Sequence, residues 1–172
     1  QSNMAGRGLL TDASSCPSLR EPPDDRIAVL SAASTDTAVS GGATDGGHWR
    51  APAQHPLHDD KPLKAGVGPG LAFARSVVDF LPAGERRVGL VPCAVGGSEL
   101  ARWEAPSGDL LLRAAAAIAR GRALGGRLRG ILWHQGESDS GAEAEAAAAR
   151  YGERLRAALA GLREACGAPE VP

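Results

Sequence analysis

Hydrophobic and polar positions follow two different periods along this chain, and the switches between them mark its elements. Arg26-Ile27-Ala28-Val29-Leu30-Ser31 is a short β-branched run bounded by Pro23-Asp24-Asp25, which predicts a strand. Pro69 opens a helix whose apolar face is Leu71, Phe73, Ala74, Val77, Val78 and Leu81, and Pro82 ends it. Arg87 to Pro92 reads as a second strand running into a turn at Gly96-Gly97. Asp109 to Arg122 has helical spacing, with Leu110, Leu111, Ala114, Ala117 and Ile118 inward. The apolar run from Leu128 to Trp133 fits a strand buried on both faces. Ala142 to Ala165 predicts one long helix carrying Tyr151, Leu155, Leu159 and Leu162 along a stripe, and Glu170-Val171-Pro172 reads as the start of a further strand. Residues 32–47 almost lack large apolar side chains and are expected to form a mobile surface loop.

Strand–helix alternation of this kind predicts an α/β fold, a flavodoxin-like three-layer α/β/α sandwich in which helices cover both faces of a parallel sheet. Functional residues of such sheets collect beyond the carboxyl ends of the strands. The Gly96-Gly97 turn and the segment Trp133-His134-Gln135-Gly136-Glu137 both take that position.

Composition narrows the field. The chain has 172 residues, enough for a single domain over 1–172 with its own core. A net charge of −1 gives no basic footprint for nucleic acid, and no apolar run reaches the ~20 residues of a membrane span. Cys16, Cys93 and Cys166 are widely separated, an odd set without C-x-x-C spacing, so neither a complete disulfide framework nor a zinc site is expected.

Three segments carry candidate chemistry. Gln1-Ser2-Asn3-Met4-Ala5-Gly6-Arg7-Gly8 offers a hydroxyl, with small residues at Ala5, Gly6 and Gly8 that leave room beside it. Ser2 is the candidate nucleophile, with an N-cap serine as its plain structural alternative. Asn3 beside it is a possible supporting residue. Gly96 and Gly97 form a turn whose backbone N–H groups can point outward with no Cβ in the way. Gln135 offers an amide to a developing oxyanion, or alternatively ties down a loop. Glu137 and Asp139 are expected to brace that loop, and Glu137 can instead orient an imidazole. His134, adjacent to Gln135 at a strand end, is expected to face the other way. His58 is the histidine placed to approach substrate, with a plain surface histidine as the competing reading. Asp45 and His48 mimic an acid–base spacing but lie in the glycine-rich loop, and are read as a decoy.

These segments resemble the SGNH-hydrolase superfamily, specifically the carbohydrate esterases of family six and the related sialate O-acetylesterases, with a plant carbohydrate-esterase group as the nearest likeness. Gln1 to Gly8 is similar to the nucleophile block, Gly66-Val67-Gly68-Pro69-Gly70-Leu71-Ala72-Phe73-Ala74 to the helix after the first long loop, Gly89 to Trp103 to the glycine block, and Trp133 to Asp139 to the third block. The resemblance implies an SGNH-hydrolase fold and an acetylesterase acting on acetylated carbohydrate. It makes Ser2 the nucleophile and Gly97 a backbone oxyanion donor, and it puts Gln135 where many members have Asn. It implies no cofactor or metal. The strand that delivers the nucleophile is expected before Ser2, and the family's closing Asp and His beyond Pro172. Two other classes stand beside this one. One is a catalytically inactive carbohydrate-binding protein. The other is a nucleotide binder on the same sheet, against which the lack of a G-x-x-x-x-G-K-[ST] loop counts.

Overall fold

The computed structural model describes residues 2–11, 19, 21–31, 47–58, 65–140 and 145–172. In chain order these form helix α1 (Ser2–Ala5), strands β1 (Ile27–Leu30) and β2 (Trp49–Arg50), helix α2 (Pro69–Val78), strand β3 (Val88–Leu90), and helices α3 (Asp109–Ala123), α4 (Glu145–Ala149) and α5 (Tyr151–Ala165). Short 3₁₀ turns cover Ala83–Glu85, Leu100–Trp103 and Glu137–Asp139. The expected mobile loop lies outside the described residues except for Gly47 at its end, as do Asp45 and Cys16.

Strand β1 is central because its apolar residues supply both faces. Its β-branched Ile27 and Val29 are buried beneath α2, in a cluster with Leu71, Ala74, Ala53 and Leu57. The sheet order is β2-β1-β3. β3 runs parallel to β1 with Ala28 opposite Gly89, while β2 is antiparallel with Leu30 opposite Trp49. The described sheet is therefore mixed and not purely parallel as the alternation predicted. The backbone of His48 closes the β1–β2 connection by accepting from Ser31 N–H at 3.0 Å and donating to Ser31 Oγ at 2.9 Å.

Residues paired across strands share a face and neighbours along a strand do not. Ala28, Leu30, Trp49 and Gly89 therefore lie on the face away from Ile27, Val29 and α2. On that second face the Trp49 indole fills a slot floored by glycine. A Cβ on Gly89 would lie 2.7 Å from the ring, on Gly121 of α3 3.1 Å, and on Gly126 3.2 Å. Trp49 thus joins α3 to the sheet opposite α2, giving helix, sheet and helix as three layers.

A second core lies between α3, α5 and the 3₁₀ turn at Leu100–Trp103. Leu100, Trp103, Leu110, Leu111, Ala114, Ile118, Ala158, Leu162 and Cys166 are buried there. Trp103 meets Trp133 edge to face, with centroids 5.2 Å apart. Cys93 packs against this cluster as a free thiol, and burial pushes its pKa up to about 11.

Four elements differ from the pattern reading. Helix α2 stops at Val78, with Leu81 beyond it, and Phe73 is 43% exposed because it lies off the Leu71–Ala74–Val78 stripe. Leu128 to Trp133 is not a strand. No described strand lies alongside to take its backbone bonds, apart from Ile131 N–H donating to Pro172 O at 3.0 Å. Its Leu128, Ile131 and Trp133 are half-buried against the second core while Leu132 points out at 40% exposure, so one face is covered and not two. The long C-terminal helix is broken at Arg150 into α4 and α5. Residues 170–172 form a turn and tail with no strand.

The glycine slot is testable. Gly89→Ala is expected to lower stability by about 1–3 kcal/mol, because the new methyl overlaps an indole held from three sides. The loss should shrink in a Trp49→Leu background, and urea denaturation reads both. An unchanged midpoint for Gly89→Ala alone would contradict the packing.

Candidate active site

The N-terminal segment is held by backbone contact and not by a sheet. Gly8 N–H donates to Val67 O at 3.1 Å, Val67 N–H to Gly8 O at 2.9 Å, and Gly66 N–H to Gly6 O at 3.1 Å. The chains approach so closely that a Cβ on Gly66 would lie 2.1 Å from Gly8 O. Gly6 also has φ +98°, a conformation that strains any residue with a Cβ. The small residues predicted to make room near Ser2 thus make room for the loop that enters α2. Ser2 is the first residue of α1, Ala5 at its end is buried, and Asn3 faces outward.

Asn3 then connects this segment to the third motif. Its amide Nδ2 donates to Glu137 Oε1 at 2.9 Å. His134 Nε2 lies 3.4 Å from the same oxygen. The reading that His134 faces away from the motif is therefore corrected. It relied on strand alternation, and this segment is not a strand. Glu137 braces the loop and contacts the imidazole at once.

The glycine turn joins the same edge. Gly97 is exposed at φ +71°, and the space where its Cβ would point is open. Among the described residues nothing accepts from its N–H. Gly96 before it is half-buried. The following residues are clamped. Gln135 Nε2 donates to Ser98 O at 3.1 Å and to Asp139 Oδ2, which also accepts Leu100 N–H at 2.9 Å. Tyr151 OH lies 2.6 Å from Gln135 O and 2.7 Å from Gln135 Oε1, so its one proton serves both oxygens. The amide orientation of Gln135 is fixed by chemistry, since a carbonyl and a carboxylate can only accept.

Both amide hydrogens of Gln135 are thus donated within the protein. In this arrangement the side chain ties the third motif to the glycine turn. Asp139 is buried, with Arg154 Nη1 3.8 Å from its other oxygen and Arg154 Nε bonded to Glu104 at 2.7 Å. A cleft of about 490 Å³ opens beside this cluster, walled by His134, Gln135, Glu137, Ser140, Ala148 and Tyr151. His58 is not on that wall. It is buried at 8% exposure rather than on the surface, because Leu57 beside it is seated in the core against Gly70. Among the described residues no cluster of His, Cys, Asp and Glu could hold a metal ion, and no helix is long and apolar enough to cross a membrane.

The family whose profile is described as carbohydrate esterase, sialic acid-specific acetylesterase, matches residues 1–172. The chain belongs to this family. It is 37% identical over 122 residues to an Arabidopsis thaliana protein named "Probable carbohydrate esterase At4g34215", a match that covers 70% of the chain and 46% of that protein. The chain therefore spans about half the length of this curated relative. The X-ray structure of the Arabidopsis thaliana protein AT4G34215 superposes with a TM-score of 0.77 at 33% identity, covering all of this chain and 68% of the other. This carbohydrate-esterase chain thus shares its fold with a solved structure along its whole length. Tyr151 packs on the second core as its place in the apolar stripe predicted, and what the pattern reading missed is its hydroxyl, which bonds Gln135. The residue is the only tyrosine in the chain, and its hydroxyl at the start of a helix is the one signal of that contact.

Two outcomes follow from this geometry. Gln135→Ala leaves the Ser98 carbonyl and one Asp139 bond unmet, so it should cost about 1–3 kcal/mol of stability. An amide whose only work is to contact substrate would leave the denaturation midpoint unmoved. Glu137 titrates below its ordinary 4.5, held down by its own backbone N–H first, against slight burial, and then by Asn3 and His134. A carboxyl depressed in the folded state contributes stability above its unfolded value, which is lost as pH falls through the folded one. Asn3→Ala should therefore move the Glu137 titration, followed by carboxyl NMR, up toward 4.5. An unmoved titration would show that the Asn3 contact is not made.

Proposed function

We propose that this protein is a serine ester hydrolase that removes O-acetyl groups from carbohydrate through an acyl-enzyme. The observation that carries the reading is the meeting of the three motifs at one edge. Asn3, beside Ser2, bonds Glu137, while the residues after Gly97 bond Gln135 and Asp139. Family membership supports an esterase, and an open depression lies beside the third motif, where Gln135 and Glu137 line it.

In this reading Ser2 Oγ adds to the acetyl carbonyl carbon as its proton passes to an imidazole base. The oxyanion is assigned to the backbone N–H groups of Gly97 and Ser2, with the exposed, open face of Gly97 supporting the first of these. Collapse expels the sugar oxygen, which takes that proton from the imidazolium and departs as the hydroxyl, leaving acetyl-Ser2. Water, deprotonated by the same imidazole, then adds to the acetyl carbon, and collapse releases acetate as the proton returns to Ser2 Oγ. The base is assigned to the Asp/His block expected beyond Pro172. For Gln135 to join the oxyanion hole it must let go of Ser98 O or Asp139, so we give it the task of holding the turn that aims Gly97.

The test compares residues 1–172 with a version extended at both ends to the length of the Arabidopsis relative, on 4-nitrophenyl acetate and on acetylated xylan or sialic acid. The extended form should turn over, and Ser2→Ala should reduce its kcat by roughly 10³-fold or more. The shorter chain, without the base, should fall near the ~10³-fold acceleration over water that the other parts supply. Equal turnover by both, abolished by Ser2→Ala in the short chain, would give the base to His134 or His58. Sugar binding without hydrolysis by the extended form would favour the binding protein, and activity retained in Ser2→Ala would refute the nucleophile.

A further inference from the structure

We infer that Tyr151 and Asp139 are positioning residues of the site, fixing the Gln135 amide between them and, through it, the direction of the Gly97 N–H. This rests on the proposed esterase reading and adds residues that reading does not use.

The two grips act on opposite ends of one side chain. Tyr151 OH holds the carbonyl end of the Gln135 amide together with the Gln135 backbone carbonyl. Asp139 Oδ2 takes one amide hydrogen, and Ser98 O takes the other. With both ends fixed, the amide cannot rotate without breaking a bond. Ser98 is fully buried and follows Gly97 directly, so the carbonyl that Gln135 holds belongs to the peptide one residue past the turn. Asp139 adds a second anchor two residues on, at Leu100 N–H. Two ties on Ser98 and Leu100 leave the exposed Gly97 little freedom to swing.

The local backbone is shaped around these contacts. The break at Arg150, with φ −98° and ψ 0°, starts a new helix at Tyr151 and sets its ring over Gly136. Gly136 has φ +145°, and a Cβ there would lie 3.5 Å from the Tyr151 hydroxyl. Asp139 N–H donates to Gly136 O at 3.0 Å, closing the tight turn that points its carboxylate inward. A buried carboxylate is costly unless it is paired and hydrogen-bonded. Here its nearest cation is 3.8 Å away, and the close contacts are the two N–H donors that set the site.

The test uses the extended, active form. Tyr151→Phe keeps the ring and removes only the hydroxyl, and should lower kcat about tenfold with KM within about twofold. Asp139→Asn, which replaces an acceptor with a group carrying its own hydrogens, should lower kcat by roughly 10–10². In a Gln135→Ala background Tyr151→Phe should lose most of its effect on kcat, since only the bond to the backbone carbonyl of residue 135 is left for it to break; a purely structural tyrosine would add its full loss. If Asp139→Asn does not fold, Tyr151→Phe decides. In residues 1–172 alone, Tyr151→Phe should shift the Gly97 and Ser98 amide NMR signals. Unshifted signals, or wild-type kcat for Tyr151→Phe while Ser2→Ala is inactive, would overturn the inference. Activity retained by Ser2→Ala would instead refute the esterase reading and leave the NMR result to stand or fall alone.

Discussion

The glycine turn and the third motif are held to each other by a small, partly buried hydrogen-bond node and not by strand pairing. Residues 91–99 and 126–136 have no regular structure, so their backbone groups find few partners in ladders. Gln135 and Asp139 substitute for that missing order. One amide and one carboxylate draw in Ser98, Leu100 and Tyr151, from a turn, a 3₁₀ segment and a helix start. Such networks are costly when half satisfied and rigid when complete, because a low dielectric strengthens each bond and penalises each vacancy. Every polar atom on the Gln135 side chain is engaged here.

Around the node, fit is set by the absence of side chains as much as by their presence. Glycines at 6, 8, 66 and 68 let two backbones touch so that the Ser2 segment lies against the entry to α2. Glycines at 89, 121 and 126 leave a slot that one indole fills, which joins β2, β3 and α3. Aromatic residues are only 3% of the chain, so few side chains of that size are present to fill such a slot. The abundance of glycine is thus a requirement of close approach in this fold, whatever else shaped the composition.

The periodicity of the chain revealed the elements that are governed by burial alone. α3 covers almost the predicted residues, and Ile27 to Leu30 form the predicted strand, because each carries a regular apolar pattern that is buried. The reading failed where a neighbour decides the outcome. Leu128 to Trp133 has strand composition, but no described strand lies beside it, and composition cannot supply a partner. The two-residue β2 was too short to show a period. At the site, the motif residues were legible as types and their mutual contacts were not. Nothing in the spacing of Gln135, Asp139 and Tyr151 along the chain says that one amide will be shared among them. His58 was read from its polar neighbours, whereas Leu57 determines where it sits.

The same node joins binding to chemistry in the proposed reaction. Gln135, Glu137 and Tyr151 wall the cleft, and Gln135 is also the residue that holds Ser98 beside Gly97. In that proposal a sugar hydroxyl entering the cleft would compete for, or add to, the hydrogen bonds that hold Ser98 beside Gly97. Glu137, with a depressed pKa and an exposed carboxylate, can accept from such a hydroxyl while keeping Asn3, and with it the segment that begins at Ser2. A substrate that completes these bonds would tighten the site in the act of binding, and one that breaks them would loosen the Gly97 turn. Discrimination between sugars would then appear in kcat rather than in KM, because the contacts that differ between them are also the contacts that aim the N–H at the developing charge.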